Sequence, residues 1–184
     1  MNRLTTVSQP EDIFPGYRNT PIGLLLEYHN LQRPFDVHTS AQLLIATCMD
    51  NQSHLRIPDG FAYNVLAGSG DVRLSEFEIS CAIAVGGVRA IALIGHNNCG
   101  MANLVSRKDT FIQGLVERAG WEREQAQEHF HHFAPIFEIG NEVDFIVSEA
   151  KRLRLRYPRI LVAPLLYRTE DNRLYVIQEN AGSG

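Results

Sequence analysis

Few cysteines, no long apolar run and no surplus of positive charge set the first limits on this 184-residue chain. Three cysteines are few and odd in number, which does not fit the paired disulfide framework of a small secreted domain. The longest apolar runs, such as 161–166 and 41–46, fall far short of the roughly 20 residues that a membrane-spanning helix needs. With Lys+Arg 17 against Asp+Glu 21 the formal net charge is −4, so no basic field argues for a nucleic-acid partner. The N-terminal MNRLTTVSQPED lacks the apolar stretch of a secretory leader, and a cytoplasmic home is the expectation. Internal repeats, low-complexity tracts and Gly-, Pro- or Ser-rich linkers are missing as well.

What remains is an ordinary globular composition, 45% hydrophobic and 21% charged, at a length that suits one domain with a sizeable core. Residues 1–19 read as an irregular arm. Thr20-Pro21 resembles an N-cap followed by proline at the first helical position, and opens a helix over 21–32. Apolar runs at 41–47, 61–66, 89–95 and 160–168 read as strands, and 174–178 as a last strand returning through the turn residues Glu170-Asp171-Asn172. Helical periodicity marks 74–85, with Gly86-Gly87 as its stop, then 121–133 and 141–156; a further helix is expected from Cys99 or Gly100 through MANLVS. Strands alternating with helices predict an α/β fold with a mainly parallel central sheet flanked by helices, and a C-terminal antiparallel edge strand.

Two of those strands end on residues that can hold a metal. The first runs into Cys48 and another delivers His96, followed by Cys99 at His-x-x-Cys spacing. Binding sites in open α/β sheets gather at the carboxyl ends of strands, which would bring these three residues to one edge. Thiolate and imidazole suit Zn²⁺, and a Cys₂His set leaves the fourth tetrahedral position open, as a catalytic site requires. Asp50 stands two residues from Cys48, beside that open position. Taken residue by residue, a second reading stands next to this one: two buried apolar cysteines and a strand-end histidine. Cys81, in the run ISCAIAVGG, reads as a small core residue.

Cys48-Met49-Asp50 followed by His96-Asn97-Asn98-Cys99-Gly100 resembles the Cys-x-Asp-Ser/Ala-Arg … His-x-x-Cys-Gly pattern of the β-class carbonic anhydrases. Met101 and the preceding IALIG resemble the small prokaryotic branch of that family. The likeness is good over 41–105 and looser to about 180. It implies one β-carbonic anhydrase-like domain over 1–184, with 1–40 as arm and helix and 41–180 as the zinc-binding core. It implies Zn²⁺ held by Cys48, His96 and Cys99, reversible hydration of CO₂ to bicarbonate by zinc-bound hydroxide, and a homodimer or higher homo-oligomer. Nucleic acid and membrane are not expected as partners.

The sequence departs from the family pattern at two places. Gln52 stands where the family has an arginine that pairs with the aspartate, so Gln52 can position Asp50 by a hydrogen bond but brings no charge. Asp50 is then expected either to serve catalysis or to swing in as a fourth ligand, which would make the chain a non-catalytic zinc-binding homologue. Arg56 is a candidate replacement for the missing charge. Val65-Leu66 stands where the family has Arg-Asn, which makes the pocket or a subunit contact more apolar and admits COS or CS₂ as alternative substrates. His129 and His132 of EHFHHF read as solvent-edge residues of a packing helix, and Lys151, Arg152, Arg154, Arg156 and Arg159 as a solvated basic face.

Overall fold

The computed structural model describes residues 3–49 and 54–179. Four strands run parallel: β2 (Leu43–Cys48), β3 (Ala62–Ala67), β4 (Ala90–His96) and β5 (Leu161–Arg168). β6 (Arg173–Ile177) returns antiparallel to β5, and β1 (Leu4–Thr6) pairs antiparallel with β6, giving the order β1-β6-β5-β4-β2-β3. The mainly parallel α/β sheet and its antiparallel edge are therefore as the sequence predicts. β1 comes from the segment that reads as an irregular arm. Three residues are too few to show a period-2 pattern, and their pairing is set by the open side of β6 that they cover.

Helices cover both faces. α1 (Pro21–Asn30) begins as Thr20-Pro21 predicts, with the Thr20 side chain accepting from the Gly23 N–H. It buries Ile22, Leu25 and Leu26 with Ile45, Ile94 and Leu165 on one face. On the other, Ile79 of α2 (Glu76–Ala84) and Ile146, Ala150 and Leu153 of α5 (Glu142–Arg156) pack with Leu44, Leu93 and Val162. Successive β4 residues thus serve opposite cores, which is why the strand is apolar throughout. Pro164 is tolerated inside β5 because the pairing with β6 begins only at Leu165, so no ladder bond on that side asks for its N–H. No helix among the described residues is long and apolar enough to cross a membrane.

Three local expectations change. Residues 99–103 form turns rather than a helix; a short 3₁₀ turn at Leu104–Arg107 leads into α3 (Lys108–Ala119), a helix that the sequence reading does not contain. Asn103 lies in the left-handed region at φ 55°, which breaks any helix there. α3 pairs with α4 (Arg123–Phe137) around a small separate core of Ile112, Ala126, Phe130 and Ala134. Cys81 is exposed rather than in the core. α2 is apolar nearly all round, so periodicity could not tell which side the sheet takes; the sheet takes Ile79, and Phe77 and Val85 face outward at 79% and 88% exposure.

Candidate metal centre

The register of the central strands brings the three candidate ligands together. β2 and β4 are parallel neighbours with Thr47 opposite Ile94, so Cys48 ends its strand level with Gly95, one residue before His96. After His96 the chain turns through Asn98 in the left-handed region at φ 59°, a conformation that asparagine tolerates, and reaches Cys99. Ala102 then bridges to Ile139, and the Asn103 N–H donates to the Ile139 carbonyl, which anchors the far side of the loop. All three residues are buried, at 4%, 1% and 3% exposure for Cys48, His96 and Cys99.

Their ligand atoms lie within 4.8 Å of one another, the one such group that the described residues form. The two sulfurs are 3.7 Å apart. A disulfide needs about 2.05 Å, whereas two thiolates on a tetrahedral zinc at about 2.3 Å each sit about 3.8 Å apart. The spacing fits a shared metal. His96 Nδ1 donates to the Asn97 carbonyl at 3.0 Å, which fixes the proton on Nδ1 and leaves the Nε2 lone pair for a ligand bond. The donor set, its burial and its tautomer all suit Zn²⁺.

Other expectations separate. Asp50 and Gln52 lie outside the described residues. Arg56 is engaged elsewhere: its guanidinium donates to the Tyr28 and Arg33 carbonyls at 2.7 and 2.9 Å and lies 4.2 Å from the centre of the Phe35 ring. The basic run is largely neutralised within the fold. Arg152 pairs with Glu149 and Glu76, Arg156 with Glu76, and Arg154 with Glu179. His129 packs among aromatic rings, with its centroid 5.1 Å from Trp121 and 4.7 Å from Phe133, and is not joined to a second metal-binding group among the described residues.

Two further positions, which no sequence motif marks, support the site. The Asn97 side chain accepts from the Thr169 N–H at 3.0 Å and donates to Glu170 at 2.5 Å, tying the end of β4 to the β5–β6 turn. Asp71 is buried and held by Arg73, which also donates to the Ile136 carbonyl at 2.6 Å and so ties the turn after β3 to the end of α4. Both links join residues far apart in sequence, and no local pattern announces them. Beside the cluster, Met49, Gly100 and Met101 line a cavity of about 460 Å³ with Phe111, Phe133 and Phe137.

No protein-family model and no curated protein sequence matches the chain. Solved structures do match. A carbonic anhydrase from Glaciozyma antarctica superposes with a TM-score of 0.61 at 19% identity, covering 94% of this chain and 100% of that one. A β-carbonic anhydrase of Trichomonas vaginalis gives 0.55 at 19% identity over 80% and 90% of the two chains. A carbon disulfide hydrolase in its apo form gives 0.53 at 18% identity over 75% and 79%. Strand order, helix placement and these superpositions agree: the chain has the fold of the β-carbonic anhydrases.

Proposed function

We propose that this chain is a zinc-dependent, carbonic anhydrase-like enzyme that catalyses the reversible hydration of CO₂ to bicarbonate. The observation that carries this reading is the buried Cys48–His96–Cys99 cluster at the carboxyl edge of the parallel strands. Zinc, when bound, supplies a water made acidic enough to react near neutral pH. Cys48 and Cys99 contribute two negative charges that offset the metal's own. Asn97 holds the His96 ring in its ligating tautomer. In this reading Asp50 receives or orients the proton of the attacking water, and Gln52 positions Asp50. The apolar wall of Met49, Met101 and Phe137 admits a neutral linear substrate and limits bulk water; this lining favours CO₂ first and CS₂ or COS second. We read 1–184 as one domain that works in the cytoplasm as a homodimer or higher homo-oligomer. The outward apolar face of α2, with Phe77 and Val85, supports that assembly.

The test is stopped-flow CO₂ hydration between about pH 6.5 and 9.5 on protein of measured zinc content, with Cys48→Ala and Gln52→Arg alongside. Zinc near one equivalent per chain, with activity lost together with the metal in Cys48→Ala, is the expected result. Protein that folds and takes up no zinc overturns the proposal. Zinc-loaded protein that is inactive, with activity appearing in Gln52→Arg, favours the non-catalytic homologue in which Asp50 closes the site.

A further inference from the structure

The cavity beside the metal cluster is far larger than the substrate proposed above. A water molecule takes about 30 Å³ of the liquid, and a linear triatomic molecule is of that order. At about 460 Å³ the cavity falls instead within the range of sites that hold organic ligands, about 300–1,000 Å³. Its walls come from two places. Met49 and Met101 follow the ligand residues in the chain, while Phe111, His129, Phe133 and Phe137 belong to the α3–α4 hairpin. Thioethers adapt to the shape of an apolar partner, and aromatic rings offer large faces to it.

We infer that this cavity is a binding site for a neutral organic molecule with an apolar or aromatic body several times larger than CO₂, bearing one hydrogen-bonding group that faces His129. Among the described residues the lining contains no Lys, Arg, Asp or Glu. An anion entering it would lose hydration and meet no cation, so the site selects neutral molecules. His129 is the polar point of the wall. The rings of Trp121 at 5.1 Å and Phe133 at 4.7 Å flank it and hold its position, and among the described residues it forms no salt bridge. The groove along α2 that we assign to self-association, lined by Tyr63, Phe77 and Val85, shares no residue with this cavity. The wall of this cavity is the one proposed above to admit the small substrate, but none of the three candidate ligands lines it, so binding of the larger molecule does not require the metal and protein stripped of metal binds as well.

The test is a titration with N-phenyl-1-naphthylamine, a neutral probe with one N–H, on full-length protein with and without zinc. Trp121 is the single tryptophan, and its contact with His129 makes energy transfer to the probe a local readout. Saturable binding of one probe per chain is expected in both forms, with Trp121 emission falling in step. The anionic analogue 1-naphthoate should bind at least about tenfold more weakly. Ala134→Phe, which fills the cavity, and Phe133→Glu, at a position 40% exposed and therefore tolerant of charge, should each weaken the probe by about tenfold or more. Leu155→Glu removes an apolar side chain that is 85% exposed on α5 and should change nothing. Circular dichroism confirms that each variant is folded, and Phe133→Glu decides the matter where Ala134→Phe does not fold. Unsaturable binding, equal binding in Phe133→Glu, or binding that falls as protein concentration rises because a second copy covers the cavity would each overturn the inference.

Discussion

Asn97 stands between a candidate ligand and a distant turn: its carbonyl accepts a hydrogen bond from His96 Nδ1 while its side chain engages Thr169 and Glu170. Truncation to alanine keeps every ligand and removes the tether, so Asn97→Ala should lower zinc affinity by about tenfold. Cys99→Ala, which deletes a ligand, should lower it much further; competition with a chromophoric chelator measures both. His29 makes a different kind of prediction. Its Nδ1 accepts the Arg56 N–H at 3.0 Å and its Nε2 donates to the Asn172 carbonyl at 2.9 Å, an arrangement that only the neutral ring can make. Burial holds its pKa below the usual histidine value. The unfolded chain therefore takes up a proton at a pH where the fold still refuses it. This group's contribution is fully present above about pH 6.5, the unfolded value, and falls as pH drops toward the folded pKa. The melting temperature should decline between about pH 7.5 and 5.5, and the decline should be shallower in His29→Gln. Calorimetry that finds equal slopes for the two proteins would sink the assignment.

Packing between elements leaves no slack where α5 crosses β4. A Cβ built on Gly95 would lie 2.8 Å from Ile146 Cγ1, an atom near the helix backbone that has little room to retreat. Gly95→Ala should cost about 1–3 kcal/mol in urea unfolding. Ile146→Ala removes the obstructing atom, so the double variant should be more stable than the sum of the single losses by about 1 kcal/mol or more. The same level explains what was hard to read. The strands at 43–48, 90–96 and 161–168 are legible because both faces are buried and the apolar runs are unbroken. α3 is not legible in the same way. Its apolar residues Phe111, Ile112 and Leu115 pack on α4 in a core of their own, and Gly114 sits mid-helix, so that packing rather than propensity holds it.

At the scale of the whole molecule, the outward face of α2 exposes Phe77 and Val85 at 79% and 88%, more than an isolated chain has reason to keep apolar. If the proposed self-association uses this face, Phe77→Glu should shift light-scattering mass toward the single chain of 20.7 kDa while leaving the fold intact. An unchanged mass would place the contact elsewhere. The sequence by itself determined the alternation of strands and helices, and with it a parallel sheet whose carboxyl edge carries any site. It also determined the identity of three soft or borderline donors at strand ends. Those are local matters: periodicity and residue chemistry can be read within a few turns of chain. Only the tertiary structure decided that Cys48 and His96 share a point, because that depends on β2 and β4 being neighbours in one register. It alone turned Cys81 outward, withdrew Arg56 to the α1 side and tied Asn97 to the last hairpin, because burial and long-range hydrogen bonds are set by which surfaces meet.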